Sequence, residues 1–393
     1  MENWRIRNLH GAERLWHSYI AYRVRTEVDP LIGRYVEIRR VVEAWCDRTK
    51  ADYDETLEAL CWLVLERSDM MPGERECWIR HGHTDDSPNL ELNLLSAAAH
   101  FGHVSLADEL LRDGHSPTGS NNIFASPLFL AAYAGNMEMV KLLLDHMPEG
   151  IANGRILTKH EAQGIDGALQ SGNLDMVRLA AFPPLGISPD PSPDWHQVPY
   201  SVEHLRNRIE TTKSPEVYHY VQDLTPDFPL SESWKAKILA THAEYGNLEM
   251  VRCLLDEGVP WNNSRINGAP LVVAADLSQE KVVELLIERG ADPNFIGNGS
   301  QRGTPLCAAA ACGSLSIVRK LLDNGARIGS DYDRALRYAV LREHTAMVEF
   351  LIKHNPLNES TRSTLKWIAS SSSLDSMVEL LERLDRGMSP PSS

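Results

Sequence analysis

The sequence predicts an all-α repeat solenoid of about nine helix-turn-helix units with a helical N-terminal cap. Three observations predict this fold: a helix signature that recurs about every 33 residues, glycines after second helices, and prolines at the start of first helices. The two clearest copies of the signature are residues 268–294 and 303–328. Self-similarity at a fixed period is typical of stacked repeats rather than of a single globular core.

Each unit is recognised by its second helix, in which a small or branched apolar anchor precedes large apolar residues. The eight clearest anchors are Ala107, Val140, Val177, Val251, Val283, Val318, Val348 and Val378. The spacing between Val177 and Val251 is two periods long, and a degenerate unit around Val217 divides it. Apolar residues at i, i+3 and i+4 form one stripe on such a helix. A single unit cannot bury that stripe alone, so neighbouring units must stack.

Glycine and proline mark the ends of the predicted helices. Glycine takes the left-handed conformation that ends a helix, and proline at the first helical position loses no hydrogen bond. The second helices of the clear units are followed by Gly114, Gly258, Gly290 and Gly325, and first helices open at Pro127, Pro270 and Pro305.

The pattern TPLxxAA…G…xVxxLLxxGAdpN that these units share resembles the ankyrin repeat. The resemblance covers about three quarters of the chain and is strongest in 126–146, 237–258, 269–294 and 304–328. One departure is systematic, because Phe129, Val272 and Cys307 stand where the family usually has a histidine that tethers the hairpin. The resemblance therefore predicts the fold, but it does not predict whether the hairpins between repeats are well ordered.

Three segments follow from this reading. Residues 1–90 form a helical N-terminal domain or cap, with helices expected over 12–27, 31–46 and 54–69. Residues 91–385 form the solenoid, which contains a proline-rich insert at 182–200, and residues 386–393 form a disordered tail. A solenoid needs a cover at its end, which is the role expected of the first segment.

Composition restricts the function classes. The net charge is −15 and the pI is about 5.5, which argue against a protein that tracks nucleic-acid phosphates. Residues 1–50 carry ten Lys/Arg against seven Asp/Glu, so the positive charge lies at the N-terminus and favours a basic cap docked on an acidic solenoid. The six cysteines form no CxxC pair, and no apolar run is long enough to span a bilayer. We expect a cytoplasmic or nuclear, reducing location.

The family resemblance implies that a partner binds the concave face, made of hairpin tips and the residues that end each first helix. The predicted partner-binding residues are Tyr133, Glu244, Tyr245, Asp276, Trp261, Phe295 and Arg302. Phe124, Arg265 and Tyr332 are also placed between hairpins. Exposed aromatic rings beside carboxylates favour a basic protein or peptide partner.

Catalysis is the alternative that the sequence leaves open. No GxSxG elbow, phosphate-binding glycine loop or Cys/His signature is present, so neither a catalytic residue nor a cofactor is predicted. Cys77, His81, His83 and Asp85 could ligate a metal, but they lack a second group at zinc-like spacing, and a polar connector is the interpretation adopted. A recognition scaffold is favoured. The alternative is an enzyme whose pocket lies between the N-terminal domain, the proline-rich loop with Trp195-His196, and the groove.

Overall fold

A computed structural model describes most of the chain and shows helices as its regular structure. The residues described are 12–28, 33–65, 89–119, 123–147, 162–182, 200–226, 228–262, 269–295, 303–327 and 330–388. Within these ranges there are 21 α-helices and one 3-10 turn, and no strand. The all-α prediction is confirmed.

The chain divides into two compact units, residues 1–229 and 230–393. The helices of unit 1 are α1 (Ala12–Thr26), α2 (Gly33–Thr49), α3 (Tyr53–Leu65), α4 (Leu90–Phe101), α5 (Val104–Arg112), α6 (Pro127–Tyr133), α7 (Met137–Asp145), α8 (Gln163–Ser171), α9 (Leu174–Ala181), α10 (Tyr200–Arg208), the 3-10 turn Ile209–Thr211, and α11 (Pro215–Asp223). Those of unit 2 are α12 (Glu232–Tyr245), α13 (Leu248–Asp256), α14 (Pro270–Asp276), α15 (Glu280–Glu288), α16 (Pro305–Cys312), α17 (Leu315–Asp323), α18 (Ser330–Leu341), α19 (Thr345–His354), α20 (Glu359–Ser371) and α21 (Asp375–Met388).

From α4 onward the described helices form nine consecutive pairs, which are the repeats. Repeats 1–4 lie in unit 1 and repeats 5–9 in unit 2, and within each unit successive first helices pack against one another. The degenerate unit around Val217 is a helical pair, α10 and α11, although its first helix ends in a 3-10 turn. The predicted number of repeats is therefore confirmed.

Seven of the eight repeat anchors are buried core residues, as the pattern predicts, whereas Val378 of repeat 9 is only half-buried. Val251 and Leu254 of α13 and Val283 and Leu286 of α15 are fully buried. Each such side chain contributes about 2 kcal/mol through burial. Stacking of repeats supplies this burial, because one helical pair exposes half of its own stripe.

The N-terminal helices pack on the first repeat. The ring of Trp45 in α2 lies 5.4 Å from that of Phe101 and 5.6 Å from that of His103, both edge to face. Arg48 pairs with Glu91 at 3.0 Å. These contacts fit the cap expected for this region.

The segment boundaries remain predictions, with one difference at the C-terminus. Helix α21 reaches Met388, three residues into the segment 386–393 that the sequence assigns to a tail. The α-helical periodicity of the last repeat continues to that point, and SPPSS follows it. Residues 183–199 of the proline-rich insert lie outside the described residues.

A left-handed residue joins the first helix to the second in eight of the nine repeats. Five of these positions are glycines: Gly102, Gly135, Gly172, Gly246 and Gly313. The other three are Ser278 (φ +56°), Glu343 (φ +54°) and Ser373 (φ +56°). A side chain with a Cβ is strained in this conformation by about 1–2 kcal/mol.

Replacing Ser373 by glycine should therefore stabilise unit 2 by about 1 kcal/mol. Ser373 is preferred because the Ser278 hydroxyl contacts Cys312 Sγ at 3.4 Å and Glu343 accepts a hydrogen bond from Ser376. Urea unfolding followed by circular dichroism measures the change. A Ser373→Ala variant should not share the gain, and equal stabilisation by both variants would contradict the strain argument.

Candidate functional site

The ends of the first helices in unit 2 carry three of the predicted partner-binding residues. Glu244 and Tyr245 end α12, and Asp276 ends α14. The Tyr245 side chain is 67% exposed, the largest exposed aromatic surface among the predicted residues. Glu244 and Asp276 are half-buried. Two carboxylates and an exposed phenol ring therefore lie at the ends of two adjacent first helices.

Gly246 fixes the backbone beneath this pair. Its φ is +72°, and a Cβ placed there would lie 2.2 Å from Oε1 of Gln279. Because glycine leaves this space open, Gln279 of repeat 6 approaches and its Nε2 donates to the carbonyl oxygen of Glu244 at 3.1 Å. The hydrogen bond ties the end of α12 to the next repeat and orients Glu244 and Tyr245.

The corresponding end of repeat 7 offers little side-chain surface. Ala311 is fully buried, and its carbonyl oxygen accepts from Nη1 of Arg342 at 3.3 Å and faces Nε2 of His344 at 3.1 Å. Cys312 Sγ lies 3.2 Å from the carbonyl oxygen of Ala275. Burial raises the pKa of the Cys312 thiol above its ordinary value, which keeps it protonated and unreactive at neutral pH.

Two predicted aromatic residues meet in the loops that follow second helices. The rings of Trp261 and Phe295 lie edge to face, with centroids 5.8 Å apart and planes at 88°. Asn294 beside them donates through Nδ2 to the carbonyl oxygen of Gly325 at 3.0 Å and accepts from the Arg327 amide at 2.7 Å. Asn294 therefore links the loop after α15 to the backbone after α17, in repeats that lack the family's histidine.

The five predicted residues that the structure describes in unit 2 do not form one cluster. The Trp261–Phe295 pair lies in loops that precede first helices, whereas Glu244, Tyr245 and Asp276 lie at the ends of first helices. The seven-residue helix α14 separates such positions by about 10 Å. Unit 2 thus presents two patches, which we call the helix-end patch (Glu244, Tyr245, Asp276) and the loop patch (Trp261, Phe295).

Tyr133 lies in unit 1, at the end of α6. Its ring stacks on Phe129 with centroids 6.0 Å apart, and Lys213 Nζ lies 6.0 Å from the ring centroid. The ring is half-buried. It is adjacent to neither patch of unit 2 in the chain, and its role in binding stays a prediction.

Two of the aromatic residues placed between hairpins are core residues, and that expectation is wrong. Phe124 is fully buried, and Tyr332 is 1% exposed with its hydroxyl donating to the carbonyl oxygen of Leu351 at 2.6 Å. Tyr332 belongs to the first turn of α18, a helix that begins earlier in its repeat than the family pattern predicts. Arg302, Arg265, the 77–86 segment and Trp195-His196 lie outside the described residues.

Two features were not predicted from the sequence: an exposed tryptophan and a carboxylate that tethers two repeats. Trp367 on α20 is 70% exposed, although a tryptophan inside an amphipathic helix is normally a core residue. Asp166 stands where the family has its histidine, and its Oδ1 pairs with His204 Nε2 and with Arg208 Nε, both at 3.0 Å. The role of Asp166 could have been found from its position, because the family's tethering histidine stands there. In this chain the Asp166 carboxylate tethers the neighbouring repeat instead.

Comparison with known proteins agrees with the helical pairs. A family model described as ankyrin repeats (3 copies) matches residues 94–190, 216–297, 242–332 and 306–389, which together exceed half of the chain. The matches include the last repeat, where the sequence pattern is poor.

Two curated relatives are similar over parts of the chain. Alpha-latrocrustotoxin-Lt1a of Latrodectus tredecimguttatus is 28% identical over 130 residues, 33% of this chain and 9% of the relative. Ankyrin repeat and KH domain-containing protein mask-1 of Caenorhabditis elegans is 27% identical over 269 residues, 66% of this chain and 10% of the relative. The chain thus spans about a tenth of the length of the curated relatives it matches. No helix among the described residues has the length and apolarity needed to cross a membrane.

Proposed function

Since the chain belongs to the ankyrin-repeat family, we propose that it is a recognition scaffold that binds a basic segment of a protein partner through unit 2. Ankyrin repeats are in general protein–protein interaction modules. The observation that carries the finer proposal is the helix-end patch, where Tyr245 is 67% exposed and Glu244 and Asp276 stand at the ends of the same and of the next first helix. An exposed ring beside two carboxylates attracts a lysine or arginine side chain through both charge and cation–π contact.

The distance between the two patches defines the kind of partner. A segment that touches both the helix-end patch and the loop patch must span about 10 Å, which takes at least three or four residues of extended chain. The loop patch offers an aromatic edge for an apolar side chain. We therefore infer a partner segment with basic residues at one end and an apolar residue a few positions away.

Rigidity supports binding at this place. Gln279 and the left-handed Gly246 hold the end of α12, and the hydrogen bonds of Asn294 hold the loop after α15. A preformed surface loses little conformational entropy when a partner binds, so more of the contact energy appears as affinity. The intracellular location predicted from cysteine usage is part of this proposal.

Replacing Trp261 by alanine should weaken partner binding by about 2 kcal/mol, roughly thirtyfold in Kd, because a tryptophan is the commonest type of binding hot spot. The partner can be represented by peptides selected from a displayed random library on the immobilised full chain. Fluorescence anisotropy of the selected peptides then gives Kd for each variant.

Matched variants distinguish a specific site from a general attraction of basic peptides to an acidic protein. Glu244→Lys with Asp276→Lys should abolish selection of basic peptides, whereas Glu249→Lys with Glu288→Lys makes the same charge change on second helices α13 and α15 and should leave Kd within about twofold. Equal loss in both double variants, or no loss in Trp261→Ala and Glu244→Lys/Asp276→Lys, would refute the proposed site.

A further inference from the structure

Repeats 8 and 9 expose a position of the first helix that is buried in repeats 6 and 7. The position in question lies six residues before the left-handed residue that ends each first helix. It is occupied by Val272 in repeat 6 and by Cys307 in repeat 7, which are 2% and 0% exposed. The same position holds Arg337 in repeat 8 and Trp367 in repeat 9, and both are exposed. The fold therefore opens a surface at the C-terminal end of unit 2 that earlier repeats close.

Two packed helices contribute to this surface in register. Residues at the second, sixth and ninth positions before the left-handed residue lie on one helical face, because they have i, i+3 and i+7 spacing. Helices α18 and α20 pack against each other, so their matching faces point the same way. All six side chains on these faces are exposed: Arg334, Arg337 and Leu341 from α18, and Thr364, Trp367 and Ser371 from α20. We call them the C-terminal face.

The C-terminal face has an apolar part made of one tryptophan and one leucine. Trp367 is 70% exposed and Leu341 is 39% exposed. Thr364 and Ser371 leave the tryptophan ring uncovered within its own helix, since both are small. An exposed tryptophan among small hydroxyl side chains is typical of a contact residue.

The charge of the C-terminal face is opposite to that of the helix-end patch. Other basic side chains of repeats 8 and 9 are engaged in ion pairs, for example Arg362 with Asp385 at 2.9 Å and Arg383 with Glu349 at 2.5 Å. Within the part of the chain that the structure describes, no ion pair is recorded for Arg334 or Arg337. Two exposed arginines therefore share one helical face with a tryptophan and a leucine, and Nη1 of Arg334 lies next to Gly303, where a Cβ would be 2.7 Å from it.

We propose that the C-terminal face is a second docking site, which binds an acidic protein segment that carries one large apolar side chain. The apolar side chain packs on Trp367 and Leu341, and carboxylates pair with Arg334 and Arg337, whose planar groups suit bidentate contacts. The site rests on the proposed function only in taking unit 2 as a partner-binding module, because it uses none of the residues of the two patches. A partner with both basic and acidic stretches would be bound in one orientation.

The test uses the full chain and a fluorescein-labelled twelve-residue peptide of Asp and Glu with one central Leu, at low ionic strength. We expect saturable binding that weakens as salt rises, since exposed charges are screened. Arg334→Glu with Arg337→Glu should raise Kd about tenfold or more, and Trp367→Ala should raise it about fivefold or more. A peptide with Ser in place of the central Leu should bind the wild-type chain about as weakly as the original peptide binds Trp367→Ala.

The matched control is Arg252→Glu with Lys281→Glu, which makes the same charge change at exposed positions of second helices α13 and α15. Its Kd should stay within about twofold of wild type. No binding of the acidic peptide to the wild-type chain up to millimolar concentration, or equal weakening by both double variants, would overturn the site. Sedimentation gives a further outcome: a dimer that Arg334→Glu/Arg337→Glu dissociates would assign the face to a second copy of the chain and overturn the acidic-segment proposal.

The same peptides separate this site from the proposed function. Loss of basic-peptide binding in Glu244→Lys/Asp276→Lys with unchanged acidic-peptide binding supports two independent sites. If the basic peptides bind neither the wild type nor any variant, the proposed helix-end site is refuted. The binding of the acidic peptide then tests the C-terminal face by itself.

Discussion

Replacing Gly167 by alanine should destabilise unit 1 by about 3 kcal/mol, the largest effect expected from a single methyl group in this protein. A Cβ at Gly167 would lie 2.3 Å from the carbonyl oxygen of Phe129 and 3.1 Å from the backbone nitrogen of Tyr133. These are backbone atoms of α6, so no rotation of a side chain can relieve the overlap. Helices α6 and α8 must move apart, and the first-helix packing of repeats 2 and 3 is lost with them.

The comparison variant lies one turn earlier in the same helix. A Cβ at Gly164 would meet only the side chain of Leu128, at 3.0 to 3.5 Å, and a leucine can shift by a few tenths of an ångström. Alanine also gains about 1 kcal/mol of helix propensity over glycine, so Gly164→Ala should be close to neutral. Urea midpoints of the two variants measure the difference. Similar midpoints would contradict the close backbone approach.

Acid should destabilise unit 2 through His242. This residue is 2% exposed on α12, at the position where α14 and α16 carry Ala274 and Ala309. Within the described residues its Nε2 is buried without a hydrogen-bond partner. Burial lowers the pKa of His242 from 6.5 to about 4, because the charged imidazolium loses its hydration there.

The direction of the pH effect follows from this shift. The unfolded chain binds a proton near pH 6.5 and the folded chain only near pH 4, so protons favour the unfolded state between these values. Stability is full above pH 6.5, falls as the pH drops, and is about 2 kcal/mol lower at pH 5 than at pH 7 from this group alone.

His242→Ala isolates the contribution, because every other titrating group is shared with the wild type. The variant should lose about 2 kcal/mol less than the wild type when urea unfolding at pH 7 is compared with pH 5. The absolute stability of the variant does not enter the comparison, since only the two pH slopes are compared. Identical slopes would show that His242 titrates normally in the folded chain.

The fold was predictable because its determinants are local and repeated. The anchors such as Val251 and Val283, the helix-opening prolines and the left-handed glycines each act within a few residues, and each occurs several times. Even the degenerate repeat around Val217 was found, since the spacing of its neighbours required one. The exact end of α21 was not predictable. The proline after Ser389 shows that the helix must end before it, but it does not show at which residue.

The candidate site was predictable only in part, because exposure depends on what a neighbouring repeat covers. Tyr245 and Trp261 were identified from family positions, and the structure places them in two patches of unit 2. Tyr332 and Trp367 show the limit of that reasoning. Tyr332 is buried by the extension of its own helix, and Trp367 is exposed because the face it shares with Arg337 opens only in the last two repeats.

The most direct test of partner binding by unit 2 is photo-crosslinking in an extract of the cells that make the protein. A benzophenone amino acid is placed at Tyr245, at Asp276, or at the second-helix positions Glu249 and Lys281, and covalent products are identified by mass spectrometry. The account predicts one protein linked from Tyr245 and Asp276, through a basic segment, and absent from the other two positions. The same protein linked from Glu249 and Lys281 and not from the helix-end patch would contradict it.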